Sequence, residues 1–439
     1  MLKKVNPLII QSILFLLTIF TTTLVGAFWI GIEKPGDTFW DFFSRGFQYS
    51  IPFLGILTIH ELGHYFTAKY YKVDVTLPYY IPLYIPLASV IQIGTLGAFI
   101  RMNSRTASRK EIFDIGVAGP LAGFFAALIL LFYGFTHLPE RDYIFQVHSD
   151  YEEVENSTGK PYENEVYSYQ YLQKRHAYIH SLYQIQDSLH FKKDTSKSWL
   201  PFLQSAIVKD TVWQRKPFKP SESYEELSVG KNLLFLFFEN YIVSNKTLIP
   251  NKYELIHYPL IFAGYLALFF TALNLFPIGQ LDGGHVIYGL FGYRRHKIIS
   301  TVIFTTYIFV AGIGIFKNNI LDINFFSADY SDMLYFALVY LSFLCFVFQK
   351  TYGDMKTTLM VSVIIFALQF SVEYIFPDFG GFNNWLVFGA LVGRILGTEH
   401  PRAIIEEPLD LKRKIIGWFA LLVFILCITP NVFSLEAIK

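Results

Sequence analysis

The chain has 439 residues, of which 53% are hydrophobic and only 16% charged, with a mean hydropathy of +0.37. A soluble domain carries about a quarter charged residues, so composition excludes an ordinary water-soluble globule. The formal net charge of +1 points to no charged partner, and neither nucleic acid nor an organic cofactor is expected. The two cysteines, Cys345 and Cys427, each lie in an apolar run, which excludes a disulfide framework or a cysteine metal site.

The apolar residues fall in runs of roughly 18 to 22, the length of helix that crosses ~30 Å of hydrocarbon. In lipid the backbone must satisfy its own hydrogen bonds, so these runs should be helices. Spans are expected at about 9–30, 49–69, 112–136, 258–277, 298–317, 333–350, 357–376, 384–397 and 414–433. The first follows Lys3 and Lys4, is too long for a cleaved signal segment and lacks a cleavage site, so it reads as an uncleaved anchor. The eighth is short and interrupted by Arg394. With a cytoplasmic N-terminus, the basic loops Lys69 to Lys110, Arg294 to Lys297, Lys350 to Lys356 and Arg402 to Lys414 all fall on one face. The expectation is a multi-pass protein of a bacterial inner membrane, with the reactive motifs toward the cytoplasmic side.

The opposite face receives a polar, tyrosine-rich insertion over 138–257, with mixed charge in Asp150-Tyr151-Glu152-Glu153 and Lys192-Lys193-Asp194. Within the cytoplasmic half, Pro78, Pro82 and Pro86 rule out a regular helix. The apolar, glycine-interrupted run after them, Ile91 to Ile100, reads as short strands or a hairpin. Irregular backbone at membrane depth is tolerated only when packed in protein or lining a wet cavity. This segment could offer a strand edge to an unwound substrate, or it could be a plain interfacial loop.

His60-Glu61-Leu62-Gly63-His64 lies inside the second span. At 100° per residue the two imidazoles and the carboxylate share about a third of the helix circumference. Two histidines one turn apart can hold zinc, and the adjacent carboxylate can take a proton from zinc-bound water. The same five residues could instead serve interhelical hydrogen bonds. Ionisable groups in hydrocarbon are functional candidates by default. Catalytic zinc takes three protein ligands and leaves a fourth position open. Asp282 is the best third candidate, because Pro277 and Gly279 break the helix before it and Gly283-Gly284 remove bulk behind it. Alone, Asp282 could equally turn or cap the chain. His285 follows closely but would be a fourth ligand; His296 and His400 fall in loops, and the insertion's histidines read as solvated.

His-Glu-Leu-Gly-His in one span and Asn274-x-x-Pro277-x-x-x-Leu281-Asp282-Gly283-Gly284 in a later one resemble the site-2 protease family of intramembrane zinc metalloproteases. Gly97-Ala98-Phe99-Ile100, Ser104-Arg105 and Phe113 to Gly123 are most similar to the branch that includes plant chloroplast proteases of this type. The resemblance implies one zinc per chain on His60, His64 and Asp282, with Glu61 as general base. It also implies that Asn274 positions substrate or stabilises the oxyanion, and that the substrate is a transmembrane protein in the lipid bilayer. Gly119, Pro120 and Gly123 read as packing residues. No PDZ-like module is recognisable.

The expected architecture is an all-α polytopic membrane protein, with eight or nine helices around a three-span core, a small β-like segment and a large extracytoplasmic insertion. Its parts are an anchor and loop over 1–48, the core over 49–137 and 258–297, the insertion over 138–257 and C-terminal helices over 298–439. The rival readings are a membrane protease with a glutamate as third ligand, a zinc transporter or other metal-binding membrane protein, and an inactive scaffold for membrane clients.

Overall fold

The computed structural model describes residues 6–85, 92–102, 108–190, 224–317, 325, 329–376, 379, 383 and 385–438. Lys3, Lys4, Pro86, Ile91, Ser104, Arg105 and Lys192-Lys193-Asp194 lie outside the described residues.

Helix α1 (Pro7–Ile30) starts where Asn6 accepts the Leu8 amide and Pro7 presets the first turn. A capping box between Thr38 and Asp41 opens α2 (Phe39–Arg45), and α3 (Phe47–Tyr70) carries the two histidines. The proline-rich segment forms a two-stranded antiparallel sheet, β1 (Tyr79–Pro82) and β2 (Thr95–Phe99), in which Tyr79 faces Phe99 and Tyr80 faces Ala98. Ser108 and Glu111 then cap α4 (Arg109–Thr136) reciprocally. Next come α5 (Ser149–Thr158), α6 (Tyr169–His190), β3 (Tyr224–Val229), α7 (Leu233–Phe237), α8 (Pro259–Asn274) and α9 (Asp282–Gly312). The chain ends with α10 (Tyr330–Tyr352), α11 (Met355–Ile375), α12 (Trp385–Ala390), a π-helical turn at Leu391–Leu396, α13 (Leu411–Cys427) and β4 (Phe433–Ile438).

The chain forms two compact units. The larger takes residues 1–139, 230–250 and 255–432; the smaller takes 140–229, 251–254 and 433–439. In the smaller, β3 and β4 pair antiparallel, with Tyr224 opposite Ile438 and Val229 opposite Phe433. In the larger, α3, α4 and α8 pack side by side, and α9 lies against α4.

Four described helices are long and apolar enough to cross a membrane: Pro7–Ile30, Arg109–Thr136, Tyr330–Tyr352 and Met355–Ile375. The other expected spans differ for physical reasons. Helix α3 carries Glu61, Lys69 and two histidines, which lower its hydropathy. The fourth expected span stops at Asn274, and the fifth begins early at Asp282, with a break at Gly292 (φ 76°, ψ 172°) beside Arg294 and Arg295. The eighth is a short helix followed by the π-helical turn that holds Arg394.

Apolar side chains face outward as well as inward, and polar ones are buried among the helices. Leu16, Ile129, Leu334 and Trp418 face outward, while Thr18, Thr22, Thr23, Ser50 and Gln369 are buried. Apolar contact gives little drive between helices in lipid, so polar bonds and close packing take over. Thr23 and Ser50 hydroxyls join α1 to α3 at 2.8 Å. In α11, Gln369 Nε2 donates to the Ile308 and Phe309 carbonyls at 3.0 Å each, and its oxygen accepts from the Tyr340 hydroxyl at 2.9 Å. Gln369→Leu strands that hydroxyl. It should cost about 1–2 kcal/mol, read as a lower thermal midpoint of the purified protein; an unchanged midpoint would show that the network contributes nothing.

Candidate metal centre

His60 and His64 stand one turn apart on α3, both almost fully buried. Both rings pack against α4. The glycines at 116, 119 and 123 line the face of α4 that meets the site, where a Cβ at Gly119 would stand 2.1 Å from His64 Nε2 and one at Gly123 3.1 Å from His60 Cβ. Gly63, inside the histidine motif, meets Ala118 in the same way, with a Cβ falling 2.7 Å from its carbonyl oxygen. The sequence marked Gly119 and Gly123 as packing residues; what they pack against is the pair of imidazoles.

His64 Nδ1 lies 2.7 Å from the Ile115 carbonyl oxygen. A carbonyl can only accept, so Nδ1 carries the proton and Nε2 presents a lone pair. That Nε2 is 3.1 Å from His60 Nε2 and 3.2 Å from Asp282 Oδ2, and His60 Nε2 is 3.4 Å from the same oxygen.

Asp282 reaches this point through the helix break expected around Pro277 and Gly279, but on a helix expected only from residue 298. It does not close a span; it is the first residue of α9, after a turn in which Gly279 takes φ 58°. Only glycine adopts that geometry freely, and here it must also be small, because its Cβ would fall 2.0 Å from the Gly397 carbonyl oxygen.

The donor set fits zinc. Bonds of ~2.0–2.1 Å in a tetrahedron place ligand atoms about 3.3 Å apart, and the three separations here are 3.1, 3.2 and 3.4 Å. With both rings neutral, the contact between His64 Nε2 and Asp282 sets lone pair against lone pair. A cation at the centre satisfies all three atoms. Two imidazoles and a carboxylate are also the ligand types of catalytic zinc sites, which keep a fourth position open.

Around the trio stand the other expected residues. Glu61 is buried, with Oε1 4.0 Å from His60 Nε2. Asn274, the last residue of α8, points its Nδ2 at His60 Nε2 from 3.3 Å. All five border a cleft of about 300 Å³ whose other lining residues include Ala98, Phe99, Ile100 and Met102, at and just beyond β2. His285 also lines the cleft but is not part of the ligand trio. His296 and His400, expected in loops, are both buried: His296 on α9, His400 in the segment after the π-helical turn. Spacing alone could not have shown this, because their partners are remote in sequence.

Helices with apolar exteriors around a His-His-Asp donor set define a membrane metalloprotein. Residues 48–316 match the model of peptidase family M50, well over half of the chain, and the chain belongs to that family, the site-2 protease family. Over 79 residues it is 35% identical to the Arabidopsis thaliana protein named "Probable zinc metalloprotease EGY2, chloroplastic", covering 18% of this chain and 13% of the relative. Over 93 residues it is 34% identical to the Arabidopsis thaliana protein named "Probable zinc metalloprotease EGY1, chloroplastic", covering 21% and 16%. The aligned stretches thus span well under two thirds of those relatives. No solved structure matches the chain.

The glycine trough can be tested directly. Gly119→Ala places a methyl carbon where His64 Nε2 sits and should weaken metal affinity by roughly 100-fold, at or above the usual cost of disturbing a ligand's support. Gly55→Ala, on the same helix as the histidines with nothing within 4 Å of the added carbon, should leave affinity unchanged. Chelator competition on both proteins measures this; equal affinity in the two would remove the trough from the account.

Proposed function

We propose that the protein is an intramembrane zinc endopeptidase that cuts transmembrane proteins within or beside their spans. The observation that carries this reading is the buried trio His60, His64 and Asp282, with ligand-atom separations of 3.1 to 3.4 Å, beside a buried Glu61. Family membership supports it, as does the name of zinc metalloprotease carried by its relatives.

Zinc at the trio would act as a Lewis acid toward the scissile carbonyl and lower the pKa of bound water toward ~7. His60 and His64 offer the two imidazole donors and Asp282 the carboxylate, one metal ion per chain. Glu61 takes the proton from the attacking water and returns it to the leaving amine. Asn274, whose amide stands beside His60, would offer that amide to the reacting carbonyl once the metal holds the imidazole, where a donor stabilises developing negative charge.

A helical substrate hides its carbonyls in its own hydrogen bonds, so it must unwind to be cut. Strand β2 lies against the cleft and is paired only with β1 among the described residues. Its open edge would hold an unwound segment by strand addition. The helices beyond the four clear spans, α3, α8, α9, α12 with its π-helical turn, and α13, complete the crossing set in this reading, with the N-terminus and the reactive motifs toward the cytoplasmic side, as the basic loops require.

Glu61→Gln separates this reading from a transporter or scaffold. It should keep the metal and lose proteolysis by about 10²–10⁴-fold, so that membrane proteomics finds single-span proteins accumulating uncut. No change in the processing of any membrane protein, or metal flux in liposomes that survives the substitution, would overturn it. Asp282→Ala should abolish zinc binding; zinc retained at full affinity would point to a different third ligand.

A further inference from the structure

Helix α9 opens at Asp282, and Leu281 before it supplies no side chain to cap the free amides of the first turn. Uncapped helix ends fray, yet a functional constellation must be held to within ~0.5 Å. The turn is held from a distance, by the strap Gly397–Glu406. This strap lies beyond the 48–316 region shared with the family.

Two links join the strap to the turn. Gly279 donates its N–H to Ser300 Oγ at 2.9 Å, and the Ser300 hydroxyl donates to the Thr398 carbonyl at 2.8 Å, where the Gly279 and Gly397 backbones already touch. The second link is a pair of imidazoles. His285 Nδ1 is 2.7 Å from His400 Nε2, and His400 Nδ1 is 2.6 Å from the Pro401 carbonyl oxygen. The carbonyl can only accept, so the His400 proton sits on Nδ1. With the ring neutral, Nε2 accepts from His285 Nδ1–H. One tautomer of His285 follows, and its ring is fixed one turn along α9 from Asp282.

His400 is itself well held. It is buried and stacks on Tyr288 at 4.3 Å and 22°, with the His296 ring 5.7 Å away. Tyr288 in turn accepts the Ala403 amide at 2.8 Å and donates to Glu406. Such a cluster is more than loop packing, because its hydrogen bonds tie the strap to His285 and Tyr288 on the helix that carries Asp282.

We propose that the Gly397–Glu406 strap is a positioning element of the metal centre, with His400 its main positioning residue. It clamps His285 and Gly279 and so fixes the first turn of α9 and the Asp282 carboxylate. The inference rests on the zinc reading above, and its test keeps the two apart.

The full chain, purified in detergent, is titrated with zinc against a chelator, and the visible spectrum of its cobalt-loaded form is recorded. His400→Phe keeps a ring against Tyr288 and loses the hydrogen bonds. It should weaken zinc binding about 10-fold or more and shift the cobalt bands. His400→Gln puts an amide oxygen where Nε2 was, to accept from His285, and should recover to within about threefold of wild type. A folded His400→Phe protein with wild-type affinity and unchanged bands overturns the proposal. Should that variant not fold, Ser300→Ala, which cuts the other link, takes its place: weakened binding supports the strap, and wild-type binding overturns it. A wild-type protein that binds no zinc sinks the metal reading itself, and the strap with it.

Discussion

Three lone-pair atoms, two imidazole nitrogens and a carboxylate oxygen, are gathered within 3.4 Å of one another where little water reaches. Burying such groups is expensive unless they are paired or bind a metal. The surrounding fold is arranged around that cost. Helix α4 gives up side chains at positions 116, 119 and 123 so that the histidines and His285 can sit against its backbone. Ile115 spends its carbonyl on fixing the His64 proton. The chain between α8 and α9 makes a left-handed turn at Gly279 so that a carboxylate arrives from the opposite side.

The same economy explains why the cleft has a β wall. A helix there would have satisfied its own backbone and offered nothing to a guest. Pro78 and Pro82 keep the described segment out of a helix, and the short pairing of β1 with β2 leaves one edge of β2 unmatched among the described residues. Beside a metal centre, an open edge is a place where a second chain can lie extended, the conformation a peptide bond needs before it can be attacked.

Much of the site was legible because its chemistry is local. The spacing in His60-Glu61-Leu62-Gly63-His64 sets three side chains on one helix face whatever the rest of the fold does. Asp282 was legible as a residue but not as a position. Its helix begins well before the span expected from residue 298, since the turn depends on a contact with Gly397 more than a hundred residues away. Span boundaries failed for related reasons. The break at Gly292 and the π-helical turn at Leu391–Leu396 are set by tertiary packing, and hydropathy averages across both. His400 could not be found at all from spacing, because a histidine in a polar stretch gives no sign that it stacks on Tyr288 and meets His285.

The central claim is that one metal ion sits between α3 and the start of α9, held by His60, His64 and Asp282. X-ray absorption at the zinc edge on the purified, zinc-loaded full chain tests it most directly. The expected spectrum has a shell of nitrogen and oxygen at about 2.0–2.2 Å, with the outer-shell scattering of two imidazoles, a signal lost with the metal in Asp282→Ala. A shell lacking paired imidazoles, or one left unchanged by that substitution, would contradict it.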